Sequence, residues 1–209
     1  MRIDNVEVYD LAESIVASGL PMNTDFKWTT FYEDSAAVYS KSEYAQTSAK
    51  HRRRAERLAK APTNSGHCNF LKGILVTFNV TGTIKWWEQF QRYHFATIIS
   101  SQSTMHKITG MDFDKCLAGT VLDRTKENCK WLVEQYNNGA INFDTLIDNM
   151  PLGLMLTARV QTNYLQLRTI YNQRKNHKYH EWKPFCDWIT TLPMADEFIV
   201  VEEKDVEDN

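Results

Sequence analysis

Three segments of the chain have the residue pattern of β-strands. Residues 1–8 alternate apolar and polar side chains, as a half-buried strand does. Residues 74–80 are dense in β-branched and aromatic side chains, which strands favour. After Pro151, the apolar run over residues 152–160 predicts a buried strand. Most of the remaining patterns are helical, so strands and helices are mixed along the chain.

Capping residues mark where several helices begin and end. Gly82-Thr83 supplies a break and an N-cap for a helix that begins near Ile84. A second helical pattern covers residues 123–137 and ends at Asn138-Gly139. Asn142 then caps a short helix that runs through Ile147.

The C-terminal third is also predicted to be helical. Thr162 caps a region that includes Asn163 and Arg174, and an amphipathic turn follows with Trp182, Phe185 and Trp188. From Asp196 onward the chain has seven acids and one lysine around the apolar stretch 198–201. We therefore expect a domain over residues 1–195, followed by an acidic tail over 196–209 that forms a short strand or arm and then frays.

A strongly basic segment lies in the first third of the chain. Asp34-Ser35 is predicted to cap a helix that runs through Tyr44, and the basic stretch Lys50–Arg54 follows, with Arg57 and Lys60 beyond it. Pro62 to Gly66 ends this segment. The basic residues form either a solvated helix face or a patch that faces a phosphate, and the sequence leaves both open.

Polar residues after the second strand are candidates for binding a ligand. Gln89 and Arg92 are three positions apart, which places them on a common helix face where two donors could reach one ligand. Residues 97–106 are predicted to form a hydroxyl-rich loop, which is either a phosphate cradle or an ordinary polar loop. Because no glycine-rich phosphate motif occurs, a P-loop and a dinucleotide-binding βαβ unit are disfavoured.

Composition limits the class of protein. A chain of 209 residues with 43% hydrophobic content is enough for one compact domain. A net charge of -2 and a pI near 6.3 argue against a protein that binds long nucleic acid electrostatically. The sequence shows no signal peptide and no run of roughly 18 to 20 apolar residues, so a soluble, cytoplasmic protein is expected.

Cysteine and histidine spacing gives no metal or disulfide motif. The four cysteines, Cys68, Cys116, Cys129 and Cys186, include no C-x-x-C pair and are expected to be reduced thiols. Only Cys68, beside His67, is worth testing as a nucleophile. His177, His180 and Glu181 have a spacing that could reach one metal ion, but no third-ligand pattern supports it, so no metal site is predicted.

The segment from Gly66 to His106 resembles the core of the flavin-dependent thymidylate synthases. That family has a Gly-His pair before a strand, then a helix with Gln, then the signature R-H-R-x-x-S-x-N-E-x-S-x-R. The resemblance is carried without a gap by Gly66-His67, Ile74, Thr77-Phe78, Val80, Ile84, Gln89, Arg92 and Ala96. It resumes at Pro151-Leu152, Leu154, Asn163 and Arg174.

The resemblance implies a fold, cofactors and a reaction. It implies an α/β (α+β) fold, a single domain with a central, mostly antiparallel sheet flanked by helices, that assembles into a homotetramer. FAD would lie at the subunit interfaces near dUMP. The family transfers a methylene group from methylenetetrahydrofolate to dUMP, with hydride from reduced flavin and NADPH as its source.

The resemblance also assigns roles to residues. It implies catalytic roles for His67, beside the flavin, and for Arg174, which contacts the pyrimidine and favours its N3-deprotonated form because a guanidinium lowers the pKa of an adjacent imide. The implied flavin-binding residues are Asn69, Arg92, Tyr93, His94, Phe95, Asn163 and Thr169. The implied nucleotide-binding residues are Gln89, Arg92, Ser100, Ser101, Gln102, Ser103, Thr104 and Arg174.

Several signature positions differ from the family. The His and second Arg are Tyr93 and His94, the first Ser is Thr97, the Asn and Glu are Ile99 and Ser100, and the closing Ser and Arg are Gln102 and Thr104. A further family Arg falls on Ile147. The lost terminal Arg removes a charge-assisted phosphate contact. Three functions therefore stay open: a divergent thymidylate synthase, a flavoenzyme acting on another pyrimidine nucleotide or using another one-carbon donor, and a non-catalytic binding protein of the same fold.

Overall fold

A computed structural model describes residues 1–39 and 45–201 of the chain. Its four strands are β1 (Arg2–Tyr9), β2 (Leu75–Thr83), β3 (Thr97–Ser101) and β4 (Met155–Asn163). They form one antiparallel sheet in the order β1-β2-β4-β3, so β1 and β3 are its edges. The predicted strands at residues 1–8, 74–80 and 152–160 are confirmed, although the last begins at Met155. The predicted α/β fold class with an antiparallel sheet is confirmed.

Ten α-helices occur in the described residues, and four 3-10 turns connect them. The helices are α1 (Leu11–Ala17), α2 (Trp28–Tyr39), α3 (Ala45–Ala59), α4 (Ile84–Phe90), α5 (Thr104–Lys107), α6 (Asp123–Asn137), α7 (Phe143–Asp148), α8 (Tyr164–Arg174), α9 (Trp182–Ile189) and α10 (Ala195–Phe198). The 3-10 turns are Leu20–Met22, Thr63–Ser65, His67–Lys72 and Ile108–Gly110. No helix in the described part of the chain is long and apolar enough to cross a membrane.

Two predicted helix caps are confirmed by hydrogen bonds. Thr83 precedes α4, and its side chain accepts a hydrogen bond from the backbone N–H of Trp86 at 3.2 Å. Asn142 precedes α7 and accepts from the backbone N–H of Thr145 at 2.8 Å. Both bonds satisfy an amide that the first helical turn leaves without a partner.

Two other predicted caps are wrong. Asp34 and Ser35 lie inside α2, which begins at Trp28, and the Ser35 hydroxyl donates back to the carbonyl of Phe31 at 2.9 Å. Tyr44, the predicted end of that helix, lies outside the described residues. Thr162 is the penultimate residue of β4, and Asn163 caps α8 instead. In both cases a helix is present, but the wrong polar residue was taken for its cap: Asp34 lies within α2, and Thr162 lies one residue before the cap of α8.

The domain contains two compact units that alternate along the chain. The first unit comprises Met1–Asn5 and Phe78–Val160, and the second comprises Val6–Thr77 and Gln161–Asn209. In the first unit the apolar core is formed by Ile108, Phe113, Leu117, Cys129, Leu132, Leu146 and Leu154. In the second unit α1, α2 and α3 pack together, and α8 packs against α9.

The expected strand or arm after Asp196 is wrong for the residues that the structure describes. Ala195–Phe198 forms α10, and the side chains of Phe198 and Ile199 are fully buried in the second unit. The guanidinium of buried Arg168 donates to the carbonyl of Phe198, and the Phe198 ring packs edge-on against Phe70 at 5.5 Å between centroids. Residues 202–209 lie outside the described part. The apolar side chains of this stretch explain the difference, because the free energy gained by burying them exceeds what the adjacent acidic residues gain from staying in water.

Candidate functional site

In the first unit, the predicted nucleotide-binding residues 100–104 lie at the end of the edge strand β3 and at the start of α5. The expected loop over residues 97–106 is wrong, because residues 97–101 form β3 and Thr104 begins α5. Ser100 and Ser101 are exposed strand residues, and Ser103 and Thr104 start the helix. Gln102 is bound to Thr157 through both its backbone and its side chain. The backbone N–H of Gln102 donates to the carbonyl of Thr157 at 2.9 Å, and the side-chain Oε1 accepts from the N–H of Thr157 at 2.8 Å.

A cavity of about 450 Å³ adjoins this edge. Gln102 and Ser103 line it together with Thr81 and Thr157, whose hydroxyl oxygens are hydrogen-bonded at 2.8 Å. This volume lies within the range of small-molecule sites. The cavity therefore brings two of the predicted nucleotide-binding residues together with two further hydroxyl groups.

Two lysines give this cavity a positive charge. Lys115 pairs with Asp112 at 2.8 Å, and the hydrogen bond from Lys115 lowers the pKa of that exposed carboxyl. Lys107 also lines the cavity and has no ion-pair partner among residues 1–39 and 45–201. The sequence analysis did not select Lys107, although its position is three residues after Thr104, where the family signature ends with Arg.

The segment after α4 places a cation, an imidazole and an aromatic ring at the surface of the first unit. Helix α4 ends at Phe90, so Arg92 lies beyond it and the predicted common helix face with half-buried Gln89 is wrong. The chain turns instead, because the N–H of Tyr93 donates to the carbonyl of Phe90 at 3.1 Å. Tyr93 is buried, while Arg92, His94 and Phe95 are exposed, and Phe95 has 68% of its surface accessible.

In the second unit, His67 and Asn69 begin a 3-10 turn. Gly66 precedes them with a φ of 79°, a left-handed conformation that favours glycine, and its carbonyl accepts from the N–H of Asn69 at 3.1 Å. This turn leaves both side chains exposed to solvent. Cys68, between them, is fully buried.

The other predicted residues of the second unit lie at the N-cap of α8 and within that helix. The Oδ1 of Asn163 accepts from the N–H of Gln166 at 2.9 Å, so the cap does not use the two donors of its amide NH₂. The Thr169 hydroxyl donates to the carbonyl of Leu165 at 3.1 Å. At the helix end, the Arg174 guanidinium stacks on the ring of Trp182, 4.6 Å from its centroid. The pKa of His177 is lowered mainly by desolvation, and the positive charge of Arg174 is the second cause.

These residues fit a flavin nucleotide in their chemistry. A flavin presents a flat ring, carbonyl and imide groups and a pyrophosphate, which call for an aromatic surface, hydrogen-bond donors and positive charge. Exposed Phe95 offers ring surface, with Arg92 and His94 beside it in the chain. Asn69 and Asn163, considered separately, offer side-chain amides. Nothing in either group is apolar enough or acidic enough to oppose such a ligand.

Thiol and metal chemistry receive little support. The four cysteines are free thiols, and burial raises the pKa of Cys116, of Cys129 and of Cys186, the last to about 11. A thiol with a raised pKa is a weak nucleophile at neutral pH. The described residues contain no group of three potential metal ligands, and His177 and His180 are not part of one.

The sequence matches no protein-family profile, and it matches no curated protein sequence. Its structure is nevertheless similar to solved structures over nearly the whole chain. Two are structures of the flavin-dependent thymidylate synthase ThyX from Helicobacter pylori with FAD and dUMP. One matches with a TM-score of 0.67 and 15% identity over 100% of both chains, and the other with 0.66 and 13% over 95% of this chain and 97% of that one.

A third similar structure is the UMP/dUMP methylase PolB from Streptomyces cacaoi, bound with 5-Br dUMP. It matches with a TM-score of 0.62 and 14% identity over 96% of both chains. The chain therefore has the fold of the flavin-dependent thymidylate synthases, which is also the fold of this methylase.

Proposed function

We propose that this protein is a divergent flavin-dependent thymidylate synthase. It would methylate dUMP to dTMP with methylenetetrahydrofolate as carbon donor and reduced FAD as hydride donor, and NADPH would reduce the flavin. The observation that carries the proposal is the likeness of the whole chain to ThyX structures that contain FAD and dUMP. The matched residues Gln89, Arg92, Asn163 and Arg174 support it.

The residues that we assign to FAD come from several elements of the chain. Asn163 would donate through the amide NH₂ that its capping role leaves available, and Asn69 and Thr169 would add polar contacts. Arg92, Tyr93, His94 and Phe95 would supply charge and ring surface, and His67 would lie beside the flavin. When bound, FAD would supply the hydride. The proposal includes a homotetramer, since the family places its flavin between subunits.

The residues that we assign to dUMP include those of the edge strand β3 and, on α8, Arg174. Gln89, Ser100, Ser101, Gln102, Ser103 and Thr104 would contact dUMP. The guanidinium of Arg174 would stabilise the N3-deprotonated pyrimidine, and its stacking on Trp182 holds it in one orientation. Because Thr104 cannot neutralise a phosphate, we assign that charge to Lys107, which lies in the same cavity as Gln102 and Ser103.

A second candidate function is methylation of another uracil nucleotide. The similarity to the UMP/dUMP methylase PolB is nearly as high as that to ThyX. The replaced signature residues Ile99, Ser100 and Thr104 change the groups that would meet the sugar and phosphate, so the preferred nucleotide can differ from dUMP.

The test is a flavin spectrum followed by a tritium-release assay. Purified protein is expected to bind FAD and to change its absorbance when dUMP is added. Tritium release from labelled dUMP with methylenetetrahydrofolate and NADPH would support the synthase, and release only from labelled UMP would support the second function. Protein that binds neither FAD nor a uracil nucleotide would contradict both functions. Binding without release would leave a non-catalytic binding protein.

A further inference from the structure

The second unit contains a separate cavity of about 550 Å³ among α1, α2 and α3. None of the residues that the family resemblance selects lies in its wall. Phe26 and Phe31 supply ring surface, with their centroids 6.0 Å apart and their planes tilted by 56°. Trp28 meets the Phe26 ring edge-on at 4.8 Å and is itself largely exposed. The aromatic side of the cavity is thus open to a planar ligand.

The opposite wall is a hydrogen-bonded chain of Asp34, His51 and Arg54. The Nη2 of Arg54 donates to the Nδ1 of His51 at 2.8 Å. Since Arg can only donate, Nδ1 is the acceptor, and the Nε2–H of His51 donates to Asp34 at 3.0 Å. Burial, with Arg54 as second cause, lowers the pKa of His51, which agrees with a neutral ring.

Arg54 is fixed on one side and available on the other. Its Nε donates to the hydroxyl of Ser18 at 3.1 Å, and its Nη2 donates to the carbonyls of Ile15 and Val16 at 3.1 and 3.0 Å. Its Nη1 has no hydrogen-bond partner among the described residues. The guanidinium is therefore held rigidly while two N–H groups remain for another molecule.

The charges of the cavity favour an anion. Lys27 pairs with Asp25 at 3.6 Å, and Asp34 pairs with His51, so both carboxylates already have partners. Lys50 lines the cavity without an ion-pair partner in the described part of the chain. With His51 neutral, three cations face two carboxylates. Lys50 and the free edge of Arg54 are the groups that remain to bind an oxyanion.

We propose that this cavity is a binding site for a small aromatic anion, whose ring lies against Phe26 and Phe31 and whose carboxylate or phosphate meets Lys50 and Arg54. The volume is in the range of sites that enclose small molecules. Rings and cations of this kind together bind a planar ligand that has a charged end. The proposal is independent of the proposed reaction.

Gly19 offers a substitution that changes the site without changing its charge. A Cβ at this position would lie 2.5 to 2.7 Å from three guanidinium atoms of Arg54, so Gly19→Ala must displace that group. The φ of Gly19 is -95°, which alanine adopts without strain. Lys50→Gln removes the other binding group and, because Lys50 is exposed, is expected to leave the fold intact. Lys60→Gln, one residue beyond the same helix, is the matched control, since Lys60 is exposed and does not line the cavity.

The test measures fluorescence anisotropy of three probes with the full chain. Etheno-AMP is a phosphate with a ring, ethenoadenosine is its neutral counterpart, and anthranilate is an aromatic carboxylate. We expect an anionic probe to bind at least about tenfold more tightly than ethenoadenosine, and Lys50→Gln and Gly19→Ala each to weaken it about three- to tenfold. Which of the two anionic probes binds more tightly identifies the oxyanion.

Three outcomes would overturn the proposal. The first is that neither anionic probe binds. The second is that Lys60→Gln weakens binding as much as Lys50→Gln, which would mean that the basic segment attracts anions without a specific site. The third is that Lys107→Ala abolishes binding while Lys50→Gln does not, which would place the probe in the first unit. Thermal unfolding of each variant checks that it folds, and Lys50→Gln keeps the test valid if Gly19→Ala does not.

Discussion

Lys107 is the residue on which phosphate binding is expected to depend. It lines the cavity of the first unit beside Gln102 and Ser103 and has no ion-pair partner in the described residues. Lys107→Ala is expected to weaken dUMP binding about three- to tenfold, since one charge-assisted contact at a solvent-exposed position is lost. Deoxyuridine, which lacks the phosphate, should bind wild type and variant equally.

Calorimetric titration of both ligands measures this difference. Lys60→Ala, which removes an exposed lysine elsewhere, should leave both affinities unchanged. Equal dUMP affinity in Lys107→Ala and wild type would remove the assigned role while leaving the proposed reaction standing.

Arg174 is expected to act on the acidity of the pyrimidine. Arg174→Ala should weaken dUMP binding about tenfold or more, because the N3-deprotonated form loses its counter-charge. A nucleotide whose imide is more acidic, such as 5-fluoro-dUMP, should lose more affinity than dUMP, because a larger fraction of it is the N3 anion that loses its counter-charge. Measuring both affinities separates this role from simple packing on Trp182, which would affect the two ligands alike.

His51 is expected to make stability depend on pH. Its pKa is lowered in the folded protein, mainly by burial, so the unfolded chain takes up the proton first as the pH falls. The contribution is complete above the ordinary pKa of about 6.5 and is lost as the pH falls from there toward the lowered value. The unfolding free energy of wild type should therefore decrease between about pH 7.5 and pH 5.5 more than that of His51→Gln.

Denaturant unfolding at the two pH values measures this effect. His106→Gln is the control, because His106 is exposed and is not part of the Asp34–His51–Arg54 chain. An identical pH dependence in wild type and His51→Gln would show that the Asp34–His51–Arg54 chain does not hold a neutral imidazole.

At the scale of elements, Asn163 is expected to have two separable roles. Its Oδ1 caps α8, and its NH₂ is assigned to the flavin. Asn163→Asp keeps the capping acceptor but lacks the NH₂, so it should retain stability and lose FAD affinity. Asn163→Ala should lose both, with a cost of about 1 kcal/mol in unfolding free energy. Denaturant unfolding and FAD titration of the two variants test this, and equal FAD affinity in Asn163→Asp would contradict the flavin role.

The sequence predicted elements where local chemistry decides them. Thr83 and Asn142 were recognised as caps because a side-chain oxygen and a following apolar pattern are both local. The predicted cap at Asp34 is wrong because α2 begins at Trp28, and the residue before it, Lys27, is not a typical capping residue. The Asp34 side chain instead forms a hydrogen bond with His51 on α3. The strand over residues 97–101 was missed because its side chains are mostly exposed, so no alternation of buried positions marks it.

The candidate site was only partly accessible to the same reasoning. Gln102 and Ser103 were selected by alignment, and the structure places them in one cavity. Lys107 was not selected because the family position falls on Thr104, and only the geometry of α5 brings Lys107 to the same cavity. A cation that reaches the same cavity from a different sequence position cannot be found by matching positions one to one.

At the scale of the whole molecule, the proposed function predicts an oligomer. Light scattering of the purified protein should give a mass of about four times the 24.4 kDa of one chain. The exposure of Phe95 and Ile99, at 68% and 56%, is consistent with surfaces that assembly covers. Phe95→Ser should shift the mass toward smaller species, whereas Tyr9→Ser, at another exposed aromatic, should not. A monomer that nevertheless binds FAD would contradict the tetramer but not the fold.

The edge position of β3 has a consequence for how this family fold can change its sequence. An edge strand pairs on one side only and presents a row of peptide N–H and C=O groups on the other. Those groups belong to every residue type except proline, which lacks the N–H, so they survive any other substitution. A ligand that forms hydrogen bonds with the outward-facing peptide groups of β3 would be bound in the same way whichever side chains stand there. At such a strand, side chains can be replaced without loss of the hydrogen bonds that the main chain offers to a ligand.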